Sequence, residues 1–166
     1  MEALNILMIS GLVPWHPQAG GGQIIAYKLS EAIAQSGHNI DYLAIAPSEF
    51  QQEVKWGRFI YFEQARFTCQ LFKSHHSGIE DYDIVHLHQA NETIGFYLGL
   101  GFQRLLDKLG RLVFSVYSPM AHRIPRSFNE ACSMVICQTA DIIFSLSEFA
   151  KKIFQMLIMF LLPKLR

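Results

Sequence analysis

The sequence predicts an α/β fold in which helices cover both faces of a parallel sheet. Three observations lead there. Short apolar bursts recur along the chain, and stretches of helical periodicity separate them. The bursts are apolar almost throughout, as strands buried on both faces are. Half the chain (51% of 166 residues) is hydrophobic, enough to give one domain a core.

The elements follow in order. Residues 4–10 form the first buried strand. A long loop holds Pro14, Pro17 and the run Gly20-Gly21-Gly22. Residues 23–36 read as a helix, with Ile24, Ile25, Leu29, Ala32 and Ile33 on one face. Gly37 stops it, as a glycine just past a last turn does. Residues 40–46 are the second strand, ended by Pro47. Residues 48–78 are mixed: a short strand at 59–62, a helix at 64–73, then a loop with His75, His76 and Gly78. Residues 83–88 are a clear strand, and 92–109 a helix weakened by Gly95, Gly99 and Gly101. Residues 112–117 are a strand, 126–139 a helix and 141–146 a strand. Ser147, with Glu148 behind it, looks like the cap of a last helix. Strands alternating with helices imply right-handed crossovers and a parallel sheet.

Composition narrows the function. Lys plus Arg equals Asp plus Glu, 14 each, so there is no basic footprint for nucleic acid. Cys69, Cys132 and Cys137 lack CxxC spacing, which argues against a disulfide framework and a zinc site. Cys132 and Cys137 read as buried small hydrophobes. The chain opens with Glu2 rather than a basic cluster, and its first apolar run is short. A cytoplasmic protein in a reducing compartment is expected.

In open α/β sheets, ligands bind at the carboxyl ends of the strands. That rule selects Ser10 and the glycine-rich loop after the first strand. Gly20, Gly21 and Gly22 at a helix start let backbone amides approach a phosphate. The loop is neither GxGxxG nor a Walker A motif. His86 and His88 alternate along a strand and so share a face. His88, nearer the carboxyl end, is the better ligand contact, with Gln89, Asn91 and Glu92 beyond it. No third metal ligand is spaced to join the two histidines. Asp81-Tyr82-Asp83 precedes its strand and reads as a solvated turn at the opposite edge, and His38 reads as a turn residue. His122, Arg123 and Arg126 follow the strand at 112–117. Trp15 either stacks on a sugar ring or packs its loop against the sheet.

Four ordered segments carry a family resemblance. They are Asn5-Ile-Leu-Met-Ile-Ser10 with Pro14 and Gly20–Gly22; Leu29-Ser-Glu-Ala-Ile-Ala-Gln-Ser-Gly-His38; Asp83-Ile-Val-His-Leu-His88; and Ala140-Asp-Ile-Ile-Phe-Ser-Leu-Ser147. Over residues 4–152 the chain resembles the N-terminal domain of family-4 retaining glycosyltransferases, which have the two-domain GT-B fold. The resemblance implies a Rossmann-like sheet, one half of a GT-B fold, in residues 1–152. It implies transfer of a sugar from a nucleotide-sugar donor to a glycan or small-molecule acceptor, with retention. The nucleotide-sugar is then a co-substrate, and no metal or other cofactor is needed. Gly20, Gly21 and Gly22 would meet the donor phosphates. Trp15, His16, His88 and Asn91 would face the acceptor.

Two departures from the family stand out. The family often places a histidine near the transferred sugar where this chain has Tyr117, so Tyr117 and the nearby His122 are the catalytic candidates. The donor domain's Glu-x7-Glu motif is also absent; Glu148, for example, meets Met156. Residues 153–162 are instead an apolar run, the core of an aberrant tail at 153–166. The tail is expected to be a truncated or frameshifted end, leaving the chain inactive alone. Lys151, Lys152, Lys164 and Arg166 flank it and suit weak contact with an anionic membrane surface. Two other readings stand beside this one: one subunit of a split transferase, and a non-enzymatic nucleotide- or glycan-binding module. A dinucleotide oxidoreductase fits less well, because Ala44-Ile-Ala46 stands where an acidic residue is preferred.

Overall fold

The computed structural model describes residues 2–62, 78–88, 93, 94, 97, 109–117 and 127–145 (Asn129 by its backbone alone). Six strands form one sheet: β1 (Asn5–Leu12), β2 (Asn39–Ile45), β3 (Arg58–Phe62), β4 (Ile84–His88), β5 (Arg111–Val116) and β6 (Ile142–Ser145). All five pairings are parallel. The order is β3-β2-β1-β4-β5-β6, a Rossmann-like sheet. Successive strands step outward from β1 to β3, and the chain then restarts at β4 on the other side of β1. The β1/β4 seam is therefore the topological switch point.

Period-two alternation sorts the core into two layers. Leu7, Ile9, Val85, Leu87, Leu112 and Phe114 point to one face. There they pack with Cys132, Ile136 and Cys137 of helix α2 (Phe128–Thr139). Ile6, Met8, Ile40, Tyr42 and Ala44 point to the other face, under helix α1 (Gly21–Gln35). Thr93, Ile94 and Tyr97 are helical and buried after β4. The helices and strands expected at 64–73, in the rest of 92–109 and from 146 onward lie outside the described residues, as does the apolar tail. Among the described residues no helix is long and apolar enough to cross a membrane.

Helix α1 departs from expectation in its buried face. Ile24, Ile25 and Leu29 are exposed by 49%, 38% and 36%, although periodicity placed them inward. The buried line is Ala26 and Ser30, flanked by the partly buried Tyr27, Ile33 and Ala34. Small side chains let the helix approach the sheet closely. Ser30 tolerates this burial because its Oγ donates to the Ala26 carbonyl at 2.8 Å. The helix also starts earlier than expected, taking in Gly21 and Gly22. It ends as the sequence requires: Gly37 sits at φ +94°, a left-handed conformation that favours glycine. Helix α2 starts two residues late, because Ser127 caps it by accepting from the Glu130 amide at 3.1 Å.

The β2–β3 crossover carries no α-helix, only a 3₁₀ turn at Ser48–Phe50. Aromatic rings cover that part of the sheet instead. Phe59 stacks on Tyr42 at 4.7 Å, and Trp56 meets Phe59 edge-on at 5.3 Å. Trp15 and Tyr27 close the cluster.

Candidate functional site

The strand that leads to the switch point is bulged. Ile9 pairs with Leu43 but Leu12 pairs with Ile45, so β1 holds one extra residue around Ser10 and Gly11. A bulge bends its strand and re-aims side chains, and bulges concentrate near binding sites. Ser10 is 1% exposed, and its hydroxyl meets that of Tyr42.

On β4, His86 and His88 share a face, as their spacing predicts. Their rings stack at 4.3 Å. Both are buried. His86 Nε2 is bonded to Ser115 Oγ at 2.8 Å, and His88 Nδ1 is bonded to the Tyr117 hydroxyl. Burial lowers His86 to about 4. Burial, and then the neighbouring His86, hold His88 well below the ordinary histidine value. Both imidazoles are thus neutral at pH 7. Burial raises the Tyr117 phenol above its ordinary value, so it stays protonated and able to donate.

Helix α1 reaches this cluster through a glycine. A Cβ on Gly22 would lie 2.8 Å from Tyr117 Cδ2 and 3.0 Å from Cε2. The Tyr117 ring therefore occupies the space a side chain would need. It also lies nearly parallel to the His88 ring at 5.8 Å. Gly22, Tyr117 and His88 form a continuous stack from the helix start to β4. The helix start itself has no side-chain cap and no acidic residue in its first turn. Gln23 reaches back, its Oε1 accepting from the Gly20 amide at 3.0 Å. A helix N-terminus without acidic residues favours an anion.

Two buried polar atoms lie at or just after the end of β4. His88 Nε2 and Thr93 Oγ1 are buried without a partner. Buried polar groups are nearly always satisfied, and leaving one unpaired costs about 1–3 kcal/mol. An unpaired His88 Nε2 beside a bulged strand makes this end of the sheet the candidate site.

The remaining candidates fall elsewhere. Trp15 packs its loop onto the sheet: its ring stacks on Phe59 at 6.0 Å and its Nε1 donates to the Phe50 carbonyl at 2.5 Å. His16 lies edge-on to Phe50, and its Nδ1 accepts from the Gln18 amide. Trp15 also walls a lateral cleft of about 430 Å³ with Ile24, Tyr27, Lys28 and Trp56. Asn91, His122, Arg123 and Arg126 lie outside the described residues. Asp83 stands at the opposite edge, where its Oδ2 accepts from the Asn5 amide at 2.8 Å. His38 ties the α1–β2 turn to the Leu4 amide. Cys132 and Cys137 are buried and unoxidised, as packing residues. Ser115 escaped the sequence reading. Its signal was a hydroxyl inside the apolar strand Leu112-Val-Phe-Ser-Val116, two residues before Tyr117.

The fold has a counterpart among solved proteins. A protein from Listeria monocytogenes assigned as a UDP-N-acetylglucosamine 2-epimerase, known from a 2.2 Å crystal structure, superposes with a TM-score of 0.52. Identity is 15% over 94% of this chain. The likeness is one of fold. This chain spans 42% of that protein's length. No protein-family model matches the sequence, and no curated protein does.

Proposed function

We propose that this domain binds a nucleotide-sugar and serves as the acceptor-side half of a retaining glycosyltransferase of family-4 type. The observation that carries the reading is the stack of Gly22, Tyr117 and His88 at the switch point, beside the start of α1. The α1 amides supply a positive field for a diphosphate. Neutral His88 and the buried Ser10 supply hydrogen bonds to sugar or phosphate oxygens. Tyr117 stands where the family often has a histidine, and a protonated phenol donates rather than takes a proton. Catalysis would then rest chiefly on stabilising the leaving diphosphate. A second domain would grip the nucleotide. The superposed protein's name, with its UDP-sugar, agrees with a nucleotide-sugar ligand.

The test is titration calorimetry of this chain with UDP- and GDP-sugars, together with a transfer assay on glycan acceptors. Binding of a nucleotide-sugar, with transfer only when a donor domain is added, is the expected result. No heat with any nucleotide-sugar at millimolar concentration would refute the reading.

A further inference from the structure

The buried pair on β4 and β5 has a directional consequence. A neutral imidazole carries one proton, and its partner at one nitrogen decides which nitrogen holds it. His88 Nδ1 is bonded to the hydroxyl of Tyr117, whose oxygen also accepts from Ser115, leaving the phenol proton for His88. A phenol is the better donor of the two, and Tyr117 is kept protonated by its surroundings. Ring stacking on one side and Gly22 on the other hold the phenol in place. His88 Nε2 is the nitrogen left buried and without a partner. Ser10, the residue after the last β1 position paired with β4, is buried and hydrogen-bonds through its hydroxyl with Tyr42.

We infer that Tyr117 is a positioning residue: its hydroxyl donates to His88 Nδ1, leaving Nε2–H as a fixed donor for an oxygen acceptor at the switch point. His88 then acts as an uncharged hydrogen-bond donor, not as a base. The acceptor it suits is a hydroxyl or phosphoryl oxygen, and the neighbouring Ser10 hydroxyl can bond to the same group. His86 does not compete for this role. Its Nε2 is already held by Ser115, and its ring lies flat against His88, where a second charge would be disfavoured. The ligand class rests on the function proposed above; the proton's location does not.

The experiment is two-bond proton–nitrogen correlation NMR on the histidine-labelled full chain at pH 7. His88 is assigned by the loss of its signals in His88→Gln. Nδ1 is expected to resonate as the unprotonated nitrogen and Nε2 as the protonated one. In Tyr117→Phe, which removes only the hydroxyl, Nδ1 should move toward the frequency of an unbonded nitrogen. A proton on Nδ1 in the unmodified chain would overturn the inference. So would an Nδ1 signal that Tyr117→Phe leaves in place while the rest of the amide spectrum stays folded. Titration with UDP-N-acetylglucosamine is the second arm. His88→Gln keeps an N–H near the Nε2 position and should retain affinity within about threefold, whereas His88→Ala should lose about tenfold, the effect of one hydrogen bond. Equal loss in both variants would overturn the donor role. If the unmodified chain does not bind the sugar nucleotide at all, the proposed function fails, and the nitrogen signals alone decide the inference.

Discussion

Adding one methyl group at Gly22 tests the stack on which the site depends. Two effects oppose each other in Gly22→Ala. Alanine favours a helix over glycine by up to about 1 kcal/mol. Against this, the new Cβ meets Tyr117 Cδ2 at 2.8 Å, Cε2 at 3.0 Å and Cγ at 3.6 Å. These are ring atoms of a side chain that is bonded at its tip and stacked on His88, so they cannot swing aside freely. Overpacking of this kind costs about 1–3 kcal/mol. The clash should outweigh the helix gain. Gly21→Ala is the control: it lies in the same helical turn, and a Cβ there meets nothing within 4 Å. The propensity gain is shared and cancels in the comparison. The two variants should therefore differ by about 1–3 kcal/mol, with Gly21→Ala the more stable. For a chain of this size that is a melting difference of roughly 2–12 °C. Paired thermal and urea denaturation measures it. A Gly22→Ala protein as stable as Gly21→Ala would mean that Tyr117 does not occupy that space.

Three further outcomes are expected. His86 is held near 4, below the ordinary histidine value, so the unfolded chain binds more protons between about pH 4 and 6.5. Stability should fall as pH drops through that window, by about 3 kcal/mol from this residue, and be flat above it; urea unfolding against pH should show a shallower slope in His86→Gln, and identical slopes would refute the assignment. Asp41 accepts both from Arg58 and from the Tyr82 hydroxyl at 2.5 Å. Arg58 is largely exposed, so Arg58→Ala should cost under about 1 kcal/mol, whereas Asp41→Ala removes the acceptor shared by Arg58 and the half-buried Tyr82 hydroxyl and should cost about 1–3 kcal/mol; equal costs in chemical denaturation would contradict this ranking. Gly110→Ala would place a Cβ 2.3 Å from the Asp83 carbonyl oxygen and 2.5 Å from that of Tyr82. Backbone cannot give way there, so a loss of at least about 1–3 kcal/mol is expected, and a melting temperature unchanged from the parent protein would show that the β4–β5 junction can relax.

The order of elements was legible in the chain because parallel strands buried on both faces leave a plain signal. Runs such as Ile6–Ile9 and Leu112–Phe114 need no partner to be recognised, and Gly37 and Pro47 mark the ends of α1 and β2 by backbone geometry alone. The shared face of His86 and His88 follows from the strand repeat, and it held. The packing of α1 did not follow from its pattern. Ile24, Ile25 and Leu29 suggested the buried face, yet closeness to the sheet selected the small Ala26 and Ser30. Periodicity ranks faces by hydrophobicity, whereas packing also ranks them by size.

What the sequence determined by itself is therefore local: strand and helix identity, chain order, the glycine-rich start of α1 and the alternation on β4. Tertiary structure decided the rest. Only the sheet order brings β1 beside β4 and makes their seam the switch point. Only the fold joins Gly22, Tyr117 and His88, which are far apart in the chain, into one stack. It likewise pairs His86 with Ser115 and leaves His88 Nε2 buried without a partner. The physical reason is range. Backbone propensity and side-chain period act over a few residues, while burial and hydrogen-bond satisfaction depend on which distant segments the sheet sets side by side.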